Sequence, residues 1–422
     1  MNRVTLIILS LLFTGFSCKT STTPQPADCD TGFLPCVDNI TECCEVFCEE
    51  WFTHCGSDST DCCFNCPPQF IPCENDTTTC CEVICDTGFH NCGDLLTTCC
   101  IDSTSHNFSW EIDTLGIYGS YLNDVEIVNE DNIWVVGIID TDEGKYNAAN
   151  WNGSDWELIS IYSNTLELYS IYFFSENDIW VIGGGYPLKW DGETWTLYVL
   201  HNYGFNVVLE NLWGTSSSNM FFVGWNGAIL HYDGMNFTQM DTGTSVDLLS
   251  IHGSSNGEYV FATGYDDSGA LGGHSVVLEY YNDIWLTIYS SDNYWPDNDS
   301  TGAVIGCYVY NDTTYFTRQG GLWKYNYLTE ASSIIPADEI GMDGNHWWQI
   351  IVNDFNDIFM KGTSFSALHF NGNSWQREYS IADYYGWHGT HSERFDYHNN
   401  LLVMVGCFDC SFGRAVVIKG IR

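Results

Sequence analysis

Basic residues are scarce in this sequence. Its 422 residues include 12 Lys and Arg against 55 Asp and Glu, which gives a formal net charge of -43 at pH 7. A chain this acidic repels phosphate backbones, so nucleic acid is excluded as an expected partner. The acidic residues are expected to form a solvated surface, and divalent cation binding is the alternative use for them.

A long hydrophobic run is also lacking at the start of the chain. The apolar segment Val4 to Phe16 is too short to span a membrane, and Arg3 precedes it. This pattern is typical of a secretory signal, so residues 1–17 are predicted to be a signal peptide and the protein to be exported.

The residues after that segment resemble the lipobox of bacterial lipoproteins, because a small residue, Ser17, stands directly before Cys18. The resemblance implies a lipid on Cys18, followed by a Thr/Pro-rich tether over residues 18–28. Lys19 stands where an inner-membrane retention signal would have Asp, which favours the outer membrane or cell surface. The membrane is then contacted only through the lipid. Cleavage as an ordinary signal peptide is the alternative.

Cysteine is almost absent after residue 105, whereas sixteen of the 20 cysteines lie in residues 29–102. They form four units with the spacing C-x6-C-x6-C-C, which identifies a repeat. The units are Cys29, Cys36, Cys43 and Cys44; Cys48, Cys55, Cys62 and Cys63; Cys66, Cys73, Cys80 and Cys81; and Cys85, Cys92, Cys99 and Cys100.

Units this short cannot bury enough apolar area to fold alone, so disulfides are predicted to replace a core and to make a stalk. Adjacent cysteines such as Cys43 and Cys44 normally bond to different partners. The spacing resembles that of cystine-knot peptides and granulin-type hairpin ladders, and it leaves the connectivity open. A thiolate metal cluster is the alternative, but it requires reduced cysteines outside the cytosol.

Residues 105–422 contain a second repeat, clearest from Glu210 to Met240. It predicts four short strands, at Leu212 to Thr215, Met220 to Trp225, Ala228 to Tyr232 and Phe237 to Met240. Gly224 is predicted to end its strand because a tight hairpin needs a positive φ. Asp233-Gly234 predicts a two-residue type I′ hairpin.

Related units begin near residues 122, 169, 249, 305, 348 and 394, and most contain a run such as Asp178-Ile-Trp-Val-Ile-Gly183. The last unit lacks a fourth strand, and a matching strand at 107–113 precedes the first. We therefore predict an all-β fold, a seven-bladed β-propeller that this strand closes, preceded by the small disulfide-rich region.

The repeat D-I-W-V-V-G followed by W/Y-D/N-G-x-x-W resembles bacterial exported β-propeller lipoproteins and, distantly, sialidase-like propellers. The resemblance specifies the propeller and not an activity. The layout of lipid, tether, stalk and outward-facing propeller loops instead favours a non-enzymatic binding or scaffold protein at the cell surface. Its ligand is expected to be a surface glycan or a protein partner, held by aromatic loop residues. These are Tyr186, Trp225, Tyr294, Trp295, Tyr384, Tyr385 and Trp387.

An exported carbohydrate-active enzyme is the alternative function. A sialidase needs three arginines for its substrate's carboxylate, and only Arg318, Arg377, Arg394, Arg414 and Arg422 follow the signal. The Asp191-Gly192 sequence also lacks the Ser and the spacer of a sialidase Asp box. No catalytic residue is assigned.

Cofactor sites are weakly indicated, and no cofactor is assigned. Asp297 and Asp299 resemble half of a calcium loop and Asp140 to Gly144 a weaker one, but neither has the distal Glu of an EF-hand. Acidic turns are the favoured interpretation. His388, His391 and His398 suggest a metal site, but no regular element supports their spacing, so ordinary loop or core histidines are the favoured interpretation.

Four cysteines remain outside the repeat. Cys407 and Cys410 are interpreted as a local disulfide. A redox pair is the alternative, and it is disfavoured because no thioredoxin-like pattern surrounds these residues. Cys307 is expected to be a buried thiol in a strand. The fourth is Cys18, the lipid site.

Overall fold

The computed structural model describes residues 104–266, 274–292, 302–342, 347–362, 365–379, 391–408 and 413–422, together with the backbone of eight short strands before residue 102. The chain divides into two compact units, residues 1–102 and 103–422. Of the helices in the described part, none is both long and apolar enough to cross a membrane.

Each cysteine unit contains one antiparallel hairpin. The strands are β1 (Phe33–Pro35) with β2 (Cys43–Glu45), β3 (Phe52–Cys55) with β4 (Asp61–Phe64), β5 (Phe70–Cys73) with β6 (Asp76–Glu82), and β7 (Phe89–Cys92) with β8 (Thr98–Ile101). In every unit the residue before the second cysteine pairs with the first cysteine of the double, as in Pro35 with Cys43 and Asn91 with Cys99. The predicted disulfides involve side chains outside the described residues, and they stay a prediction.

Seven four-stranded antiparallel sheets make up the second unit, and each is one blade. Blades 1 to 3 are β10 (Tyr121–Asn129), β11 (Asn132–Asp140), β12 (Lys145–Trp151) and β13 (Trp156–Ile159); β14 (Leu168–Ser175), β15 (Asp178–Gly183), β16 (Tyr186–Trp190) and β17 (Trp195–Leu197); and β18 (Leu209–Ser216), β19 (Asn219–Gly224), β20 (Ile229–Tyr232) and β21 (Phe237–Gln239).

Blades 4 to 6 follow the same order. They are β22 (Leu248–Gly253), β23 (Val260–Tyr265), β24 (Ser275–Tyr281) and β25 (Ile284–Ser291); β26 (Val304–Tyr310), β27 (Thr313–Arg318), β28 (Gly321–Asn326) and β29 (Ser332–Pro336); and β30 (Trp347–Asp354), β31 (Asp357–Gly362), β32 (Ala367–Phe370) and β33 (Trp375–Tyr379). Among the described residues, the helical turns are two 3-10 turns, Leu200–Tyr203 and Trp225–Gly227, and α1 (Ala337–Ile340).

Blade 7 is built from both ends of the second unit. Its strands β34 (His391–His398), β35 (Leu401–Cys407) and β36 (Ala415–Ile421) are joined by β9 (Ser109–Leu115), which pairs antiparallel with β36 from Ser109 opposite Ile421 to Leu115 opposite Ala415. The seven-bladed propeller is confirmed. The closing strand begins at residue 109 and ends at 115, two residues later at each end than the sequence pattern predicts.

Apolar side chains fill the space between neighbouring blades, which is why second strands are apolar on successive residues. Trp180 of blade 2 is fully buried and its ring lies 5.5 Å from Phe222 and 5.2 Å from Tyr232 of blade 3. In blade 3, Met220 and Phe222 pack into the core shared with blade 2, and Phe221 packs into the core shared with blade 4. Both faces of a blade are therefore core.

The glycine at the end of the second strand has a different cause from the one predicted. Gly224 is extended, with φ -176°, so the prediction that glycine is needed there for a positive φ is wrong. A Cβ at Gly224 would lie 2.0 Å from the carbonyl oxygen of Val208, and one at Gly264 would lie 1.9 Å from that of Asp247. All seven inner strands shift register at this level, between residues such as Leu209 and Asn211. The bulged strand approaches so closely that only glycine fits.

The Asp-Gly turn is also longer than predicted. Tyr232 pairs with Phe237, so residues 233–236 form a four-residue loop rather than a two-residue hairpin. Asp233 Oδ1 accepts hydrogen bonds from the nitrogens of Met235 and Asn236, and Gly234 has φ 93°. The loops at Asn152, Asp191 and Asn371 have the same side-chain cap. The D/N-G-x-x-W motif thus encodes a capped loop that leads into the outer strand.

Candidate binding face

Polar side chains on the inner strands join each blade to the next around the central channel. Asp124 Oδ2 accepts a hydrogen bond from Ile171 N at 3.0 Å, Asn211 donates to Leu249 O at 3.0 Å, and Gln349 both donates to and accepts from Phe395. Ser250 and His252 of blade 4 accept from Cys307 N and Val309 N of blade 5. These contacts satisfy backbone groups on the inner edge of each blade, where the first strand has no further strand beside it.

Three carboxylates lie deep in the channel wall. Burial raises the pKa of Asp396 to about 6, against hydrogen bonds from Ile127 and Tyr397. Burial also raises the pKa of Asp124, against the pull of Arg394 and Ser170. The pKa of Glu126 is raised well above its usual range by burial and by repulsion from Asp396 and Asp124. Burial in the channel wall therefore raises the pKa of all three carboxyl groups.

Arg394 spans the channel. It belongs to blade 7, yet its Nη2 atom donates a hydrogen bond at 3.3 Å to the carbonyl oxygen of Leu249 in blade 4. Its positive charge opposes the rise in the pKa of both Asp124 and Glu210. The guanidinium consequently connects the buried carboxylates with the face at which the inner strands begin.

That face carries an acidic collar, which we define as Glu167, Glu210 and Asp247. Each is half-buried and lies at or next to the start of an inner strand. Burial raises the pKa of Glu210, and the charges of Glu167 and Asp247 add to the rise. Glu167 and Asp247 are thus both close enough to repel Glu210, and this concentration of negative charge attracts a cationic ligand.

Trp225 stands beside the collar with 48% of its surface exposed. Its Nε1 atom donates to Glu210 Oε1 at 2.6 Å, and the next residue, Asn226, donates its backbone N–H to Asp247 Oδ1 at 2.7 Å. The indole ring is therefore held in place with its apolar surface open to solvent. Aromatic rings fixed this way supply contact area at little entropic cost.

The structure describes two of the aromatic residues predicted to bind a ligand. Trp225 is exposed as predicted, whereas Tyr186 packs against the core between blades 2 and 3. The others, Tyr294, Trp295, Tyr384, Tyr385 and Trp387, lie outside the described residues. A separate groove of about 500 Å³ lies on the outer rim between β21 and β25, lined in part by Met240, Ile284 and Leu286.

Of the predicted metal candidates, the structure describes the Asp140 to Gly144 turn and His398 with their side chains. Asp297, Asp299 and His388 lie outside the described residues, as does the side chain of His391. Asp140 binds Lys145, whose Nζ atom lies 2.9 and 2.8 Å from its two carboxylate oxygens, so it serves as an ion-pair partner. His398 Nε2 contacts the Asn399 amide at 2.9 Å.

The cysteines outside the repeat have separate environments. Cys307 is a free, buried thiol in β26, as expected, and burial raises its pKa to about 12. Cys407 is disulfide-bonded. Cys410 and Cys18 lie outside the described residues, so the pairing of Cys407 with Cys410 and the lipid site stay predictions.

Sequence reasoning missed one cluster of chemically active side chains, formed by His106, His369 and Glu378. It joins the segment before β9 to blade 6. Burial lowers the pKa of His106 and His369 lowers it further, while Glu378 opposes the shift. The residues are dispersed along the sequence, and His106 and His369 are 263 positions apart, so no local spacing marks them.

The fold is shared with other propellers. YCF48 bound to D1 peptide has a TM-score of 0.54 and 13% identity, over 74% of this chain and 95% of that one. YCF48 from Cyanidioschyzon merolae has a TM-score of 0.52 and 16% identity, over 74% of this chain and 98% of that one. The extracellular domain of the putative one-component system BT4673 from B. thetaiotaomicron has a TM-score of 0.52 and 11% identity, over 73% of this chain and 40% of that one.

At these identities the likeness establishes the propeller fold alone. No protein-family model matches the sequence, and no curated protein does.

Proposed function

We propose that this protein is an exported, non-enzymatic binding module whose channel face recognises a cationic peptide segment of a protein partner. One observation carries the proposal: the exposed Trp225 is bound to Glu210 of the acidic collar, and its neighbour Asn226 is bound to Asp247 of the same collar. Carboxylates select Lys or Arg side chains, and a fixed indole ring offers both apolar contact and a cation–π surface.

The buried carboxylates support a binding role over catalysis. Both oxygens of Asp396 accept backbone hydrogen bonds, from Ile127 and Tyr397, and both oxygens of Asp124 accept them from Val125 and Ile171. A general acid or base must be free to approach a substrate. These two carboxylates instead hold blades together.

The test is binding of the full exported chain to an array of short peptides of varied charge. Peptides rich in Lys and Arg should bind selectively, and the dissociation constant should rise roughly tenfold for Glu210→Gln and for Trp225→Ala, about 1.4 kcal/mol each. Asp155→Asn, an exposed carboxylate on an outer-strand loop, is the matched control and should bind as the wild type. Equal binding of acidic and basic peptides would sink the proposal.

A glycan array with the same variants tests the alternative that the ligand is a carbohydrate, whose sugar rings can also stack on Trp225. Selective glycan binding that is lost in Trp225→Ala and retained in Glu210→Gln would replace the peptide proposal. Running the array with calcium and with chelator tests whether calcium assists.

An exported carbohydrate-active enzyme is the second candidate, and Glu126 favours it. Its carboxyl group has a raised pKa, which a glycosidase acid requires. Turnover of chromogenic glycosides by the wild type, abolished in Glu126→Gln, would support the enzyme. Absence of turnover leaves the binding role.

Export and anchoring are part of the same proposal. The signal over residues 1–17 and the lipobox-like Cys18 support a lipoprotein of the cell envelope, with the disulfide-rich hairpins between lipid and propeller. Labelling with a radioactive fatty acid tests the anchor. Label should be incorporated in the wild type and lost in Cys18→Ser, while release of unlabelled wild-type protein would indicate an ordinary signal peptide.

A further inference from the structure

Three ligand-type atoms converge where the chain enters the propeller. His106 Nδ1 lies 2.9 Å from His369 Nδ1 and 2.8 Å from Glu378 Oε1, and His369 Nδ1 lies 3.7 Å from the same oxygen. In a tetrahedral site with metal–ligand bonds of about 2.0–2.1 Å, neighbouring ligand atoms are about 3.3 Å apart. The observed separations bracket that value.

The hydrogen bonds around His369 direct its Nδ1 lone pair into the cluster. His369 Nε2 lies 2.8 Å from Asp357 Oδ1, and Arg422 binds both oxygens of Asp357 at 2.8 and 2.9 Å. A carboxylate held by an arginine can only accept, so the His369 proton is on Nε2. Metal-bound histidines characteristically donate their second N–H to a carboxylate in this way.

His106 and Glu378 complete the electron-rich group. His106 Nε2 faces Ser374 Oγ at 3.3 Å, which offers a partner for its proton and leaves Nδ1 free to coordinate. Glu378 Oε1 is buried and lacks a hydrogen bond of acceptable geometry, despite its closeness to His106. A buried carboxylate oxygen in this state normally has a cation beside it.

The surroundings suit an inner-sphere metal site. The ring of Phe359 stacks on His369 at 4.5 Å, and Phe108 meets it edge-on at 5.9 Å. His369 is fully buried, whereas the His106 side chain keeps 13% of its surface exposed, which gives an ion a path from solvent. Two imidazoles and one carboxylate favour zinc and its first-row neighbours over calcium, which takes six to eight oxygens.

We propose that His106, His369 and Glu378 bind one divalent transition-metal ion of the zinc class. The ion fastens the segment before the closing strand to blade 6. That segment already follows the blade, because Thr104 N donates to Asn371 O and the Asn371 amide donates back to Thr104 O, both at 3.1 Å. The metal thus adds a further attachment, and water supplies the remaining coordination position.

The test uses the full exported chain under non-reducing conditions, dialysed against zinc and then against metal-free buffer. Wild type should retain one equivalent that Glu378→Gln and His106→Gln lose. His398→Gln, in the competing histidine group, should retain it. Cobalt in place of zinc should give d–d bands of nitrogen and oxygen coordination without a thiolate charge-transfer band, which separates this site from the cysteine repeats.

A second measurement, thermal stability of the wild type, tests the proposal even if a variant fails to fold. Chelator should lower the melting temperature of the wild type by several degrees, and zinc should restore it, because a ligand that binds the folded state stabilises it. Equal metal content in wild type and both variants, a cobalt spectrum of thiolate type alone, or a melting temperature indifferent to chelator and zinc would each overturn the proposal. The last outcome would mean that a shared proton holds the cluster instead.

Discussion

Asp396 Oδ2 lies 2.7 Å from the backbone nitrogen of Ile127, so a carboxylate of blade 7 accepts a hydrogen bond from the inner strand of blade 1. Its other oxygen accepts from Tyr397 N within its own strand. Ring closure therefore has two parts, the outer pairing of β9 with β36 and this inner bond beside the channel.

The first prediction concerns pH. Because the pKa of Asp396 is about 6 in the folded protein and ordinarily 3.8, the folded state keeps a proton that the unfolded state loses between those values. The free energy of unfolding should thus fall as pH rises from about 4 to 6, by up to about 1.4 kcal/mol per pH unit for each such proton. Asp124 and Glu126, whose pKa values are also raised, act with the same sign.

Urea unfolding between pH 4 and 7 checks this dependence. Asp396→Asn should flatten the slope and also lower stability by about 1–2 kcal/mol, since an amide oxygen replaces only one of the two acceptors. Asp142→Asn, at an exposed residue, is the control and should keep the wild-type slope. Identical slopes in wild type and Asp396→Asn would refute the assignment.

The second prediction concerns Arg422. Its guanidinium binds both oxygens of Asp357, which is 1% exposed, and also contacts Tyr397. Arg422→Ala leaves a buried carboxylate without its cation, so the free energy of unfolding should fall by about 3–5 kcal/mol. Arg422→Lys should recover only part of this loss, because lysine restores the positive charge but cannot make the two-point contact. Arg414→Ala, at an exposed arginine, should change stability by less than about 0.5 kcal/mol in the same denaturant titration.

The third prediction separates close approach from turn geometry as the reason for the repeat glycine. Gly224→Ala places a Cβ 2.0 Å from a backbone oxygen that cannot move without disturbing the inner strand. The expected cost is roughly 3 kcal/mol, at the upper end for overpacking. Gly144→Ala, which meets no atom within 4 Å, should be near neutral. Equal melting temperatures for the two variants would contradict the explanation.

The fourth prediction concerns the free thiol. Burial raises the pKa of Cys307 to about 12, and its sulfur contacts Ser250 and the carbonyl of Phe261. Iodoacetamide should leave Cys307 unmodified in the native protein and alkylate it fully in denaturant, because the thiolate is the reactive form. Peptide mass spectrometry resolves this residue from the other cysteines, and native alkylation at Cys307 would argue against a closed core.

Local signals in the sequence predict the blades well but their glycines poorly. The run from Met220 to Val223 correctly predicts a strand buried on both faces, because inter-blade packing imposes that pattern on each unit. The reason for Gly224 lies in a neighbouring strand, at the bulge between Leu209 and Asn211, which no reading of the hairpin itself can find.

The sites depend on contacts that are distant along the chain. Glu167, Glu210 and Asp247 look like ordinary acidic residues until three inner strands bring them to one face. Likewise, His369 and Glu378 gain a histidine partner only because ring closure brings residue 106 against blade 6. Trp225 is the exception, since its position in a glycine-containing loop after an apolar strand is visible from the sequence.

The pairing of β9 with β36 also sets an order in time. Ser109 to Leu115 are synthesised before any blade, yet their partners, Ala415 to Ile421, are made some 300 residues later. The first strand therefore lacks its neighbour until the last segment of the chain is available, and the ring can close only then. We expect closure to be the slowest step of folding, since contacts between segments so far apart in sequence form late.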